Sequence, residues 1–567
     1  MLIHRIADQL ASAAEFRDIE RNLATAQDAT LGIAQSARPL AIAALYARNP
    51  RPCVVVVAGE DAAQRMAQAL ASYVGLDQVE RIPLRCDLPW SDKPSDDAVV
   101  GARCRALARL KAGEPCLAVA SARALLRCVP PVGSDYFMPI SFEIGQEIDF
   151  ATVPEKLLFL GYTSQGAVDG PGTFHVHGDL VDVWPTQSTG PVRLEFFGDE
   201  IDAIRTLVPS TGQTIGQVTD VEMYPARELA LSPKAIERCR RKLYQASQDD
   251  DELARHMEMF SQGIVFHEAD RYLPSLYAST TGPLAHVAPE VLMVLAEPRS
   301  LFDDATRYYD EVSVLARNAK VSLEGLYLKP AQMDFGSQQR LTLVSIMRAG
   351  GGATSELRVQ QPDVAGGARL VRRLDSLRHM GYATVFAIPD SEARRAMKIT
   401  LTDEHIPIVE SLATSTENRG TCIPEWARVS HTPLPRGPIT VTDAAIPAGV
   451  VIPDARLAVI SSADLQSRMA KHGRRKNIDV TDITFPFKPG DYVVHATHGI
   501  AHFTAIVRKE VAGKERDYFQ LEYAGADKLF VPFEQVDRLT RYVGPDSDAP
   551  RLTRLNSADW TRATTKA

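Results

Sequence analysis

FPFKPGDYVVHATHGIAHFTAIVRKEVAGKERDYFQLEYAGADKLFVPFEQVDRLTRYVG, residues 485–544, reads as short strands divided by turn signals. Pro489-Gly490-Asp491 is a turn, and Tyr492–His495 is a β-rich run behind it. Ile506–Val511 is a second run, and Ala512-Gly513 loops before Asp517–Tyr523. There Phe519, Leu521 and Tyr523 alternate with Tyr518, Gln520 and Glu522, the period of a half-buried strand. Gly525 breaks the run, and Lys528–Val531 adds a strand that Pro532 terminates. Strands this short and numerous predict a small closed barrel, because closure removes exposed edges. A barrel by itself assigns no function.

Outward from this stretch, residues 466–484, with Gly473-Arg474-Arg475-Lys476, read as a polar linker into a barrel at 485–545. Residues 331–465 read as a separate α/β domain. Its strands are expected at Leu341–Ile346, Ala383–Ile388, Ile439–Val441 and Leu457–Ile460, with an amphipathic helix at Gly367–Met380. His379 and His405 stand alone there, and no catalytic or metal-binding constellation is legible.

Residues 1–130 alternate helix and strand: helix Ile33–Ala47, strand Cys53–Ala58, helix Asp61–Val74, helix Val99–Leu110, strand Cys116–Ala120. The apolar stripe of the second helix falls on Ala62, Met66, Ala69 and Leu70. This is the pattern of a parallel sheet, which raises the question of nucleotides. A phosphate-cradling loop needs glycines for backbone approach, a Lys for the phosphates and a hydroxyl for Mg²⁺. The place for one is Leu31–Pro39, before a helix. Gly32 is present, but Ala37 stands at the second glycine, Arg38 replaces the Lys, and Pro39 replaces the hydroxyl while deleting a backbone donor. A degenerate, non-binding loop is expected.

Residues 131–208 turn to short strands. GYTSQGAVDGPGTFHVHGDLVDVWP places strands at Thr173–His177 and Leu180–Trp184, and PVRLEFFGDEIDAIR a third at Val192–Phe197. In the third, Arg193 and Glu195 share one face and Leu194 and Phe196 the other. The plain reading is an edge strand with a solvated ion pair. Residues 209–330 return to helices: Ser232-Pro233 caps one, strand Val291–Leu295 follows, and Ser300 with Asp303 opens Leu301–Ala319 as a capping box.

The 567 residues are too many for one core and predict several domains. Net charge is −8, with 63 Lys and Arg against 71 Asp and Glu, which opposes a chain that coats nucleic acid along its whole surface. Two weak basic patches stand out, Arg238–Lys242 and Lys471–Lys476, and read as a solvated helix face and part of the linker. The seven cysteines (Cys53, Cys86, Cys104, Cys116, Cys128, Cys239, Cys422) are scattered and form no CxxC pair, the usage of a reducing cytoplasm. MLIHRIADQLASAAEF is unlike a signal peptide, and no apolar run reaches the ~18 residues of a membrane span. A cytoplasmic protein without membrane contact is expected.

GDYVVHATHGIAHF, DYFQLEYAGADKLFVP and RLTRYVG together resemble the RNA-polymerase-interacting module of the transcription-repair coupling factor (Mfd) family, shared with CarD-type regulators. The 160–205 signature resembles the UvrA-binding domain that UvrB and coupling factors share. The resemblance implies a multidomain α/β fold in four parts. They are a UvrB-like parallel-sheet domain (1–130, completed by 209–330), an inserted α+β UvrA-binding domain (131–208), a second α/β domain (331–465) and a C-terminal Tudor/SH3-like small β-barrel (485–545). Residues 546–567 would begin a linker toward a DNA translocase that this chain lacks. The barrel would dock on the RNA polymerase β subunit, with Val507, Arg508 and Lys509 as the expected contacts. Arg193 and Glu195 would contact UvrA, together with His175 and His177, which replace the family's usual Arg; Ser164 is a further departure. UvrB's aromatic-rich hairpin is reduced here to Leu88–Asp97, with Trp90 its one aromatic. The resemblance implies ATP, Mg²⁺ and most DNA contact for the intact family, and no cofactor for this chain. The alternatives are a free-standing CarD-like regulator and a UvrB-like repair ATPase.

Overall fold

The computed structural model describes residues 2–229, 231–262, 266–333, 338–345, 353–362, 364, 367–411, 434–465, 490–495, 499–511, 514–525, 527–532 and 539–541. The chain divides into two compact units, Met1–His472 and Gly473–Ala567, each with its own core. The linkers expected at 466–484 and 546–567, the basic run Lys471–Lys476 and Cys422 lie outside the described residues.

The first unit opens with α1 (Leu2–Leu10), α2 (Ala14–Thr25), β1 (Asp28–Gly32), α3 (Arg38–Arg48) and β2 (Cys53–Val57). Next come α4 (Glu60–Val74), β3 (Val79–Ile82), α5 (Asp97–Lys111) and β4 (Leu117–Ser121). β2 is buried along its whole length, so its sequence shows no alternation, as expected of a parallel strand covered on both faces. Ala63, Ala67, Ala69, Leu70 and Val74 are buried on α4; Ala62 and Met66 sit at the margin, half-buried. The helix expected from Ile33 begins later, because a 3₁₀ turn at Gln35–Ala37 precedes α3, whose first turn holds Pro39. Asp96 caps α5, its carboxylate accepting from Ala98 N at 3.0 Å and Val99 N at 3.3 Å.

The insert contains β5 (Ile140–Glu143), α6 (Thr152–Phe159), β6 (Thr163–Ser164), β7 (Thr173–His177) and β8 (Leu180–Val183). It continues with β9 (Val192–Phe197), β10 (Glu200–Leu207), β11 (Thr214–Val218) and β12 (Asp220–Met223). A six-stranded sheet runs β11-β10-β9-β8-β7-β6, and β12 pairs antiparallel with β5. That second pairing carries the insert past the boundary expected at 208. β9 lies between β8 and β10, so it is an interior strand and the edge-strand reading is corrected. Phe142, Leu157, Phe174, Val181, Leu194 and Ile204 form the core beneath. The insert docks on α5 at Gly101, where a Cβ would lie 2.2 Å from Thr186 Oγ1, so only glycine fits.

The chain then returns through α7 (Pro233–Leu243), α8 (Asp251–Ser261), α9 (Leu273–Leu276), β13 (Leu292–Ala296), α10 (Pro298–Asn318), β14 (Arg340–Val344) and β15 (Ala353–Glu356). Ser232 caps α7, its hydroxyl accepting from Ala235 N at 3.3 Å. The capping box expected at Ser300 is not formed. α10 starts at Pro298 behind Glu297, which is left-handed (φ 54°) and supplies no side-chain cap.

The first sheet runs β15-β1-β14-β13-β2-β4-β3, and all its described pairs are parallel. The strand expected at Leu341–Ile346 in the next domain belongs here instead: Leu341 stands between Ala29 of β1 and Val294 of β13.

α11 (Ala368–His379), β16 (Ala383–Ala387), α12 (Ser391–Asp403), β17 (Ile408–Glu410), β18 (Ile439–Thr442), β19 (Val450–Ile452) and β20 (Leu457–Ser461) complete the unit. Their sheet runs β17-β18-β16-β20-β19. It shares a core with the first sheet: Leu2, Ile6 and Leu10 of α1 join Val385, Leu457 and Val459 in one cluster. Gln9 Nε2 also donates to Ala455 O at 2.6 Å. The expected separation at 331 is corrected by this shared core, in which α1 packs with residues of both sheets.

The second unit holds β21 (Tyr492–His495), β22 (Gly499–Val511), β23 (Lys514–Glu522), β24 (Lys528–Pro532) and β25 (Leu539–Arg541). These form an antiparallel sheet in the order β24-β23-β22-β21-β25 over Val493, Phe503, Phe519, Leu521, Tyr523 and Val531. Closure into a barrel is not among the described pairs. No helix among the described residues is long and apolar enough to cross a membrane.

Candidate protein-binding surfaces

The strand registers of the insert bring four of the expected site residues to one face. His175 stands opposite Asp182, Asp182 opposite Arg193, and Arg193 opposite Arg205. One step along, His177 stands opposite Leu180, Leu180 opposite Glu195, and Glu195 opposite Ala203. Phe174, Val181, Leu194 and Ile204 fill the other face and are buried, so the first two rows form the outer one.

The charges on this face are organised by neighbouring strands. Arg193 makes a fork onto Asp182, with Nε at 2.6 Å from Oδ1 and Nη2 at 2.8 Å from Oδ2. Arg205 Nε donates to Glu195 Oε1 at 2.7 Å. Hydrogen bonding to Asp182 raises the Arg193 pKa above its ordinary value, and Glu195 does the same for Arg205. His175 and His177 stack at 5.2 Å with their rings 15° apart. His175 Nδ1 lies 2.8 Å from Gln165 O and can only donate there, so a neutral His175 offers its remaining nitrogen as an acceptor. His177 Nδ1 is shielded from solvent and has no hydrogen-bond partner among the described residues.

Three residues on this face were not singled out from sequence. Asp182 and Arg205 are the partners of Arg193 and Glu195, and only the register reveals them. Phe197 continues the face of Arg193 and Glu195 and is 83% exposed at the β9–β10 hairpin. The signal was present: two places beyond Glu195, an aromatic must face outward with it. Trp90, by contrast, packs against the core around α5.

The degenerate loop after β1 lies at the carboxyl end of the first sheet, where open parallel sheets receive ligands. Arg38 is 4% exposed and paired with Glu297, and its Nη2 donates to Ser345 Oγ at 2.8 Å. Ser345 donates to Glu297 Oε1 from its backbone N at 2.8 Å and from its hydroxyl at 2.7 Å. Burial alone would raise the Glu297 pKa; the bonds from Ser345 and Arg38 outweigh it and hold the group below its ordinary value.

Beside it, Asp304 takes Gly59 N at 3.0 Å, at the start of α4, and a fork from Arg123. Glu60 accepts from Ser121 at 2.7 Å and pairs with Arg81. Carboxylates of the chain itself thus occupy places an anion would take. At the loop expected to be degenerate (Gly32, Arg38 and Pro39), the Arg38 guanidinium is committed to Glu297 and Ser345, and Pro39 carries no hydroxyl. No group of three or more His, Cys, Asp or Glu among the described residues could hold a metal ion.

In the second unit, β23 pairs with β22 from His502 to Val511, whereas β21 pairs with it only from Gly499 to His502. Val507, Arg508 and Lys509 therefore lie where the side of β22 away from β23 has no strand partner among the described residues. Val507 is half-buried; the side chains of Arg508 and Lys509 are outside the description.

Two family models match. A UvrB interaction domain covers residues 140–229 and a CarD-like/TRCF RID domain covers residues 487–543. The class is thus a multidomain α/β protein that carries a UvrB interaction domain and a CarD-like/TRCF RID domain. Along nearly its whole length the chain is similar to transcription-repair-coupling factors. It is 24% identical to that of Bacillus subtilis (strain 168) over 573 residues, covering 94% of this chain and 47% of the relative. Identity is 26% over 573 residues with the Myxococcus xanthus factor, covering 94% and 47%. It is 28% over 600 residues with that of Mycobacterium tuberculosis, covering 98% and 47%. The chain spans about half the length of these curated relatives.

Proposed function

We propose that this chain is an interaction scaffold of transcription-coupled DNA repair, with UvrA and RNA polymerase as its partners. UvrA binds the outer face of β7–β10, through Arg193, Glu195, His175 and His177, with Phe197 at the margin. The observation that carries this reading is the register that gathers these residues on one face of a rigid sheet. The β subunit of RNA polymerase binds the side of β22 that has no strand partner among the described residues, around Val507, Arg508 and Lys509, adding a strand through main-chain hydrogen bonds. The unit would close into a Tudor-like barrel around this edge.

The first sheet binds no nucleotide and this chain performs no ATP hydrolysis, because Arg38 answers Glu297 rather than a phosphate. The UvrB-like ATPase reading is disfavoured on that ground, and the free-standing CarD-like reading by the UvrB interaction domain. The test is co-purification of the whole chain with UvrA and, separately, with the β subunit. Arg193→Asp should abolish the first only, and Val507→Asp with Lys509→Glu the second only. If both variants keep both partners, the scaffold reading fails.

A further inference from the structure

α7 carries a concentration of positive charge that the two proposed surfaces do not use. Its sequence, PKAIERCRRKL, buries Ala235 and Cys239 and turns Lys234, Arg238 and Arg241, spaced i, i+4 and i+7, away from them, with Lys242 on the flank of the buried side. Lys234 and Arg241 are exposed, Arg238 half-buried, and Arg240 exposed beside them. Lys242 Nζ donates to Pro274 O at 2.9 Å. Lys234, Arg238, Arg240 and Arg241 have no ion pair among the described residues, and Arg238 Nε is shielded without a partner.

The helix dipole accounts for cations in the last turn, at Arg240, Arg241 and Lys242. It does not account for Lys234 and Arg238, which continue the same stripe toward the amino end. One carboxylate, Glu237, lies among them, and Tyr244 beyond the helix is 65% exposed. The acidic run Asp249–Glu252 follows, with Asp250 committed to capping α8 and Glu252 near Arg271 at 3.7 Å. It confines a polyanion to the stripe itself.

We propose that this face of α7 binds the phosphate backbone of duplex nucleic acid, independently of sequence. From Lys234 to Arg241 the stripe is about 10 Å long, roughly three steps of 3.4 Å along one strand of a duplex. Phosphate contacts need cations on an accessible surface and nothing more. Recognition of an acidic peptide would add anchoring pockets for side chains, and this face presents only polar and charged residues with Tyr244 at its end. In a chain of net charge −8, a stripe of this kind is also the local exception that contact with a polyanion requires.

The test uses the whole chain and a fluorescent duplex of about 25 base pairs, followed by anisotropy between about 50 and 200 mM salt. Binding should fall in the non-specific range of about 10⁻⁴–10⁻⁶ M, with a log–log salt slope of about −3 for three to four phosphate contacts. Lys234→Glu, Arg238→Glu and Arg241→Glu combined should weaken it at least tenfold and flatten the slope. The milder Lys234→Gln with Arg241→Gln, which leaves the buried side of α7 untouched, should reduce the slope by about two. A charge-matched control, Arg369→Glu, Arg372→Glu and Arg395→Glu, should leave both unchanged. Equal loss in the control, no binding at 50 mM salt, or tighter binding of polyglutamate than of the duplex would each overturn the proposal.

Discussion

Two regions of the first unit are dense in paired charges, and they use them in opposite ways. At the carboxyl end of the first sheet, Arg38 pairs with Glu297 and Arg123 with Asp304, so these charges are answered within the chain. Deeper still, Glu228 lies between Arg103 at 2.8 Å and Arg85 at 3.2 Å, with all three almost wholly buried. On the outer face of the insert, Arg193–Asp182 and Arg205–Glu195 are also pairs, but they lie at the protein surface. A buried pair cannot exchange partners without stranding a charge in a low dielectric. A surface pair holds its side chains in a defined geometry at little cost, and a partner can compete for them. The same residue types are structural in one place and recognisable in the other.

The largest effect should come from breaking the buried side of this comparison. Glu228→Gln leaves the Arg103 and Arg85 guanidiniums short of a carboxylate and should lower stability by about 3–5 kcal/mol, read by denaturant unfolding. Arg38→Ala strands Glu297, which is partly solvated, and should cost about 2–3 kcal/mol without creating ATP affinity. On the exposed side, Phe197→Asp should leave the melting temperature within about a degree while weakening UvrA binding severalfold, measured by titration calorimetry.

The smallest effect lies at the joint between the two regions. Asp97, in the first turn of α5, is pushed up to about 6, chiefly by burial. A carboxyl raised in the folded state makes stability fall as pH rises from about 4 to about 6. Asp97→Asn should therefore add about 1 kcal/mol at pH 7.5, after allowance for its partial exposure, and almost nothing at pH 4. Glu228, Glu297 and Asp304 work in the reverse sense. Burial raises each, but their cationic and hydrogen-bonding partners prevail and hold all three below ordinary values. Their contribution is present above about pH 4 and lost as pH falls through their folded values, so acid melting should be steep there.

Much of the local structure was legible because it follows from short-range rules. Thr173–His177 and Val192–Phe197 fall where turn residues and alternation placed them, and Ser232 caps its helix. What escaped was long-range. Nothing near Leu341 announces that its neighbours are Ala29 and Val294, because a parallel strand pairs with segments far away in sequence. The start of the chain was read only as unlike a signal peptide, yet α1 is buried in a core that residues of both sheets share. The candidate site residues were legible as positions with chemistry. Their partners were not: Asp182 became meaningful only when the register set it between His175 and Arg193. Likewise, the departures from a phosphate loop were visible at Arg38 and Pro39, but the pairing of Arg38 with Glu297 was not.

The account turns on whether the outer face of the insert is the UvrA surface. The most direct measurement is the affinity of the whole chain for UvrA, wild type against Arg193→Asp combined with Glu195→Arg, with melting followed alongside. Reversing both charges removes interactions a partner would use while disturbing only surface pairs worth about 0–1 kcal/mol to stability. The account predicts at least a hundredfold loss of affinity with a nearly unchanged melting temperature. Affinity equal to wild type in a fully folded double variant would contradict it.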